Sequence, residues 1–133
     1  MLRRTEKRKP GKWIWPATRK AIYIRDDYTC YWCGKKHEVG SRQLSLDHLI
    51  PWVYFGPDAP HNLVTCCRVC NSKRGDKKLQ EWYQVVEKEF NKSKEELKAI
   101  MAKVNKVETS TKESFKYYRN IANGKPEKNK CIK

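Results

Sequence analysis

Two matched cysteine pairs constrain the fold of this chain more than any other feature of its sequence. Cys30 and Cys33 form one C-x-x-C pair, Cys67 and Cys70 form the other, and 33 residues separate the two pairs. Two residues between cysteines let both thiolates turn toward one ion, and two such pairs complete the tetrahedral four-sulfur shell that structural zinc prefers. The spacing therefore predicts that these four cysteines hold Zn²⁺ and join two distant parts of the chain.

The other two cysteines, Cys66 and Cys131, are expected to stay outside this site. Cys66 and Cys67 cannot occupy the same ligand position, and Cys67 is the better candidate because its spacing to Cys70 repeats that of the first pair. We expect Cys66 to be a small buried residue on a strand and Cys131 to be a free thiol. A redox dithiol is the alternative for either pair alone, but two matched pairs favour metal binding.

A metal site matters because the chain is short of core material. Of its 133 residues, 38% are hydrophobic and 34% are charged. One modest core is possible at this length. Zinc binding can contribute on the order of 10 kcal/mol to the folding of a small domain, which is the additional support that such a composition requires.

The net charge of +15 is unevenly distributed and indicates a polyanionic partner. Residues 1–12 carry a net +5, residues 13–70 a net +2 and residues 71–133 a net +8. Each phosphate neutralised by Lys or Arg releases condensed counterions, so nucleic acid is the favoured partner over a membrane surface or a merely soluble basic face. No apolar run is long enough to span a membrane and no secretory leader is visible, which predicts a cytoplasmic or nuclear protein.

The chain divides by composition into four segments. We predict a basic flexible arm over residues 1–15, a zinc core over 16–78, a helical extension over 79–124 and a basic tail over 125–133. The core should run in the order helix, strand, long loop, strand and helix, because apolar periodicity changes in that order along it.

The individual elements of the core follow from local patterns. Residues 16–27 suit a short helix with Pro in its first turn, and residues 44–50 alternate as a half-buried strand does. A loop rich in Pro and Gly separates this strand from a second one at 63–65, and a helix is expected from residue 68 onward.

Residues 79–124 have the periodicity of amphipathic helices. Ser93 with Glu96 is typical of a capping box, and Ser110 with Glu113 predicts the start of a further helix. Apolar side chains at this spacing are more simply core than base-stacking groups. Those expected to face inward are Leu79, Trp82, Tyr83, Val86, Phe90, Leu97, Ile100, Met101, Val104, Phe115 and Tyr118.

A set of polar residues accompanies the cysteine pairs. Asp47 and His48 lie between the pairs, Asn62 precedes the second predicted strand and Asn71 directly follows Cys70. A lone histidine is usually structural, but a neighbouring carboxylate and two nearby amides make chemistry more plausible here. Because a four-cysteine zinc site is closed, any reaction needs another ion or none.

Residues 25–75 resemble the HNH family of ββα-metal (His-Me finger) nucleases. This resemblance covers about 50 residues and implies an α+β fold, in which a ββα-metal core with a four-Cys zinc site carries added N- and C-terminal helices. The fragments that carry it are Arg25-Asp26-Asp27, Cys30-x-x-Cys33-Gly34, Leu46-Asp47-His48-x-Ile50-Pro51, His61-Asn62-Leu63-Val64 and Cys67-x-x-Cys70-Asn71-x-x-Arg74-Gly75.

The resemblance also implies a role for each polar residue. His48 would be the general base, Asp47 and Asn71 would ligate one divalent ion, and Asn62 would orient the base through the loop backbone. A near-neutral imidazole suits the deprotonation of water, and oxygen ligands suit Mg²⁺ or Mn²⁺. Asn71 stands where many family members have His, which bears on metal preference more than on activity.

Two further features concern nucleic-acid contact. Lys73 and Arg74 follow Asn71 and could hold phosphates, with a solvated helix face as the alternative. The loop over residues 52–56 is bulkier than the family pattern, and its aromatic side chains are expected to pack on the sheet rather than touch DNA.

The resulting hypothesis is a metal-dependent DNA endonuclease that holds DNA mostly through its phosphates. The alternative is a noncatalytic zinc-dependent DNA-binding module, and RNA is a third candidate substrate. The resemblance extends to proteins of phages, mobile introns and restriction systems. It implies the cytoplasm of a bacterial or phage-infected cell, with phage packaging or terminase proteins as candidate partners. Sequence specificity, nicking versus double-strand cutting and oligomeric state stay open.

Overall fold

A computed structural model describes residues 2–6 and 13–124 of the chain. The predicted tail over 125–133, including Cys131, lies outside these residues, as does half of the predicted arm. The described residues form five α-helices and one two-stranded sheet, which confirms the expected α+β class. The elements are α1 (Pro16–Arg25), β1 (Leu44–His48), β2 (Leu63–Cys67), α2 (Arg68–Arg74), α3 (Leu79–Glu89), α4 (Lys94–Glu108) and α5 (Lys112–Ala122), with short 3₁₀ turns at Trp52–Tyr54 and Pro60–Asn62.

The sheet is an antiparallel pair whose register places the polar residues of β1 against apolar residues of β2. Asp47 lies opposite Val64, and His48 lies opposite Leu63. Every residue of β2 is buried. Helix α2 begins at the residue after β2, so that strand, strand and helix follow the ββα order that the motifs imply.

The two faces of the sheet pack into two hydrophobic clusters. Leu46 and Leu63 pack with Phe115 and with residues of α1, since α1 and α5 cover that face. Val64 and Cys66 belong to the larger cluster, which contains the four cysteines and the inner faces of α3 and α4. The helical extension therefore completes the core on both sides of the sheet.

An edge-to-face contact between two tryptophans lies at the centre of the larger cluster. The rings of Trp32 and Trp82 meet at 87° with centroids 6.0 Å apart, and both side chains are fully buried. Such a pair contributes about 0.5–1.5 kcal/mol beyond its buried area. Trp32 belongs to the first cysteine turn, so this contact ties that turn to α3.

The C-terminal helices match the sequence prediction with two corrections. Ser93 and Glu96 form the expected capping box of α4, whereas α5 is capped by Thr111, one residue later than predicted. Met101 is 40% exposed and not in the core. The buried face of α4 passes through Val104 and continues at residue 107, and Met101 lies at the edge of that stripe.

Among the described residues, no helix combines the length and the apolar character needed to cross a membrane.

Candidate active site and metal centre

The four cysteines of the two C-x-x-C pairs converge as predicted. Their sulfur atoms all lie within 4.8 Å of one another, and the Sγ atoms of Cys33 and Cys67 are 3.9 Å apart. Zinc–sulfur bonds of about 2.3 Å in a tetrahedron place neighbouring sulfurs about 3.8 Å apart. The spacing therefore fits one tetrahedral metal ion held by Cys30, Cys33, Cys67 and Cys70.

The two adjacent cysteines differ in position, with Cys67 inside the four-sulfur set and Cys66 outside it. Cys66 is fully buried on β2, outside the four-sulfur set, and its thiol donates to the carbonyl oxygen of Cys67. The side chain of Cys67 caps α2 by accepting the backbone N–H of Cys70 at 3.5 Å. Cys67 therefore ends β2 and caps α2, and Cys70 lies in the first turn of that helix.

Electrostatics within the cluster favour a bound cation. Hydrogen bonds from Cys66 and Cys70 lower the pKa of Cys30, whereas the same contact with Cys30 raises the pKa of Cys70. The neighbours thus favour ionisation of Cys30, and ionised Cys30 in turn opposes ionisation of Cys70. A divalent ion removes this conflict, because metal-bound thiols deprotonate outright.

Asp47 is buried beneath the candidate catalytic cavity and is held by two donors. Its Oδ2 accepts the indole N–H of Trp32 at 2.9 Å and an N–H of Arg74 at 2.9 Å. Burial raises the pKa of Asp47, and the Arg74 guanidinium opposes that rise. Since Oδ2 is occupied, Oδ1 is the oxygen with which Asp47 can ligate an ion.

Arg74 is a structural residue and not a phosphate contact. Its side chain is fully buried and donates to Asp47, to the carbonyl oxygens of His48 and Leu49, and to the carbonyl oxygen of Lys77. The guanidinium has no route to solvent, so this burial contradicts the prediction that Arg74 holds DNA phosphates. The buried carboxylate of Asp47 provides the physical reason, because an ion pair offsets its desolvation.

Asn71 is oriented by β1 through a residue that the sequence patterns did not reveal. Its amide nitrogen donates to Ser45 Oγ at 3.0 Å and to the Leu46 carbonyl oxygen at 3.3 Å. The Ser45 hydroxyl in turn donates to the carbonyl oxygen of Cys66. The amide oxygen of Asn71 is therefore the atom that can ligate an ion.

Asn62 closes the loop that follows β1. Its Oδ1 accepts the backbone N–H of Ile50 at 2.8 Å, while its Nδ2 donates to the carbonyl oxygens of Ile50 and Pro57 at 3.1 Å each. The side chain is buried within this contact. Asn62 thus fixes both ends of the loop without reaching the cavity itself.

Gly56 is required by this closure, and we expect Gly56→Ala to damage it. A Cβ at this position would lie 1.8 Å from the Ile50 carbonyl oxygen and 2.9 Å from Asn62 Nδ2. Because the nearer neighbour is backbone, the loop must shift, at an expected cost of about 1–3 kcal/mol. Urea denaturation would measure it. Gly56 does not have the positive φ that would strain an alanine backbone, so a loss below about 0.5 kcal/mol would contradict the steric argument.

A cavity of about 290 Å³ brings three of the predicted site residues together. Asp47, His48 and Asn71 line it, beside Trp13 and residues of the 51–53 and 75–76 segments. The His48 side chain is 11% exposed, with its Nε2 2.7 Å from Asp58 Oδ1.

Lys73 is outside the residues that line this cavity. Its ammonium lies 3.6 Å from a Glu89 carboxylate oxygen and 5.5 Å from the centre of the Phe90 ring. About half of its side chain is exposed, on the outer face of α2.

The aromatic loop after β1 packs against cations. The Arg4 guanidinium lies 4.4 Å from the centre of the Trp52 ring, and its Nε donates to the Trp52 carbonyl oxygen. Arg3 and Lys78 both lie over the ring of Tyr54. These partners differ from the sheet packing that the sequence predicted.

Comparison with known proteins agrees with this geometry. Residues 30–84 match the family model described as HNH endonuclease. The matched segment runs from Cys30 into α3 and contains every residue that lines the cavity except Trp13. A comparison with curated proteins gave no match. Over residues 30–84, this chain is therefore similar to the HNH endonuclease family.

Proposed function

We propose that this protein is a metal-dependent endonuclease that hydrolyses phosphodiester bonds in DNA. The observation that carries the proposal is the shared cavity of Asp47, His48 and Asn71 beside a helix anchored by two cysteine ligands. A noncatalytic zinc module would not need an oxygen-ligand pair next to a histidine. The family match supports nuclease activity, and the net charge of +15 supports a nucleic-acid substrate.

His48 acts as the general base in this proposal. A neutral imidazole takes a proton from the attacking water as the water oxygen bonds to phosphorus and the bond to the departing 3′ oxygen breaks. The products are a 5′-phosphate and a 3′-hydroxyl. Asn62 keeps His48 in place by fixing the loop that packs beside it.

Asp47 and Asn71 would hold the catalytic divalent ion through Oδ1 atoms. An all-oxygen donor set suits Mg²⁺ or Mn²⁺ better than softer metals. Such an ion supplies a positive charge that stabilises the phosphate and the leaving oxygen in the transition state. The cysteine cluster, in contrast, would hold Zn²⁺ in a closed structural site. The two ions thus have separate roles.

DNA would be held mainly through its phosphates. Lys73 on the outer face of α2 remains a proposed contact, whereas Arg74 is excluded by its burial. Binding through several cations should weaken steeply as salt concentration rises.

The test is cleavage of supercoiled plasmid by the parent protein and by His48→Ala in the presence of Mg²⁺ or Mn²⁺. We expect the parent to nick the plasmid and the variant to do so at least about 100-fold more slowly, because removal of a general base costs about that much. Zinc content and DNA affinity should stay unchanged. His61→Ala is the matched control, since His61 is exposed and does not line the cavity. Equal nicking by His48→Ala would exclude this mechanism, and tight DNA binding without any nicking would favour the noncatalytic module.

A further inference from the structure

We propose that Asp58 is a positioning residue that sets the ring orientation and the tautomer of His48. This inference rests on the proposed function, because it concerns the base of that reaction. His48 Nε2 and Asp58 Oδ1 are 2.7 Å apart, the distance of a short hydrogen bond to a charged acceptor. The two residues are 10 positions apart in sequence and meet only because the loop between them folds back.

The loop that carries Asp58 is held from within the protein. Asn62 Nδ2 donates to the carbonyl oxygen of Pro57, the residue directly before Asp58. The close approach of Gly56 to the backbone of Ile50 fixes the preceding turn. Asn62 therefore acts on His48 indirectly. It holds the loop that carries Asp58, and the Asp58 carboxylate holds the His48 ring.

A second neighbour restricts the imidazole from another side. The ring of Trp13 has its centroid 5.2 Å from that of His48, with 31° between the planes. A ring held at one nitrogen by a carboxylate and against a tilted indole has few orientations available. His48 is thus positioned before DNA or a metal ion binds.

The hydrogen bond also selects the tautomer. An ionised carboxylate only accepts hydrogen bonds, so the proton of the shared bond belongs to His48 Nε2. A neutral imidazole with its proton on Nε2 carries its lone pair on Nδ1. Nδ1 is then the atom that accepts the proton of the attacking water, while Nε2 continues to donate to Asp58. Removal of the carboxylate partner of a metal-bound histidine typically costs about 10- to 100-fold in activity, and we expect an effect of that size for this base.

The decisive measurements are the steady-state kinetics and the ¹⁵N NMR spectrum of the His48 side chain in the parent and in Asp58→Ala. We expect kcat to fall about 10- to 100-fold with KM for DNA unchanged. We also expect the Nε2-protonated tautomer of the parent to give way to a mixture. His48→Ala assigns the resonances, and Asp58→Asn, which keeps an accepting oxygen, should restore part of kcat. Asp27→Ala is the control, because Asp27 is exposed and paired with Lys36.

The outcomes separate this inference from the proposed function. If the parent cleaves DNA but Asp58→Ala leaves both kcat and the tautomer unchanged, the positioning role is wrong and the nuclease stands. A rise in KM at constant kcat would also overturn it, since Asp58 would then act on DNA binding. If the parent does not cleave but Asp58→Ala still changes the tautomer, the positioning contact stands and the nuclease proposal fails.

Discussion

Cys67→Ser is expected to lose its metal ion and most of its folded structure, whereas Cys66→Ser keeps both. Cys67 is one of four sulfurs within 4.8 Å of one another, and it also caps α2. The metal contributes on the order of 10 kcal/mol in small zinc domains, which is comparable with the whole stability of a domain. Loss of a ligand should therefore unfold the protein near room temperature. Metal content measured by atomic emission and a circular dichroism melt would test this expectation.

Cys66→Ser serves as the matched control because it makes the same chemical change one residue away. Cys66 is buried outside the four-sulfur set, and its thiol donates to the Cys67 carbonyl oxygen. A serine hydroxyl can make the same hydrogen bond. We expect a loss of about 1–3 kcal/mol from burying a more polar group, with full metal content. If Cys66→Ser loses the metal and Cys67→Ser retains it, the assignment of the ligands is wrong.

Arg74→Met should cost about 3–5 kcal/mol of unfolding free energy, the range for a buried ion pair that loses one partner. Methionine fills a similar volume but leaves the Asp47 carboxylate without its cation. It also leaves the carbonyl oxygens of His48 and Leu49 without a donor. Urea denaturation with and without Asp47→Leu would test the pairing, because the second change should restore part of the lost stability.

Lys73→Met is the control for Arg74, from the same helix. Its side chain is about half exposed, so its effect on stability should stay within about 0.5 kcal/mol. DNA affinity should fall for Lys73→Met if the proposed phosphate contact exists. If Arg74→Met is folded and fully stable but binds DNA more weakly, this assignment is wrong. Arg74 would then contact DNA phosphates, as its sequence position suggested.

Several features of the fold could be predicted because they depend on neighbours along the chain. The capping box at Ser93 spans one helical turn, and the alternation over β1 spans five residues. The sequence prediction was wrong where a local pattern fits two neighbouring positions equally well. Ser110 and Thr111 are both good caps, but the Ser110 hydroxyl donates to the Val107 carbonyl oxygen of α4, and Thr111 caps α5.

The residues of the candidate site could be proposed from the sequence, but the hydrogen bonds that position them could not. Asp47, His48 and Asn71 were identified as a group, and the structure places them around one cavity. Ser45 and Trp32 carried no comparable signal. Trp32 and Ser45 act through hydrogen bonds to residues far away in sequence, and such bonds do not produce a periodic pattern in the sequence.

The sequence by itself predicted which four cysteines converge, because two residues between cysteines favour a turn that brings both thiolates to one point. It also determined the ββα order and the identity of the candidate base. Only the tertiary structure decided that Arg74 is buried against Asp47 and that Asp58 reaches His48. A charged side chain on a helix or loop is equally compatible with solvent, phosphate or a buried partner, and which one it meets depends on the long-range packing around it.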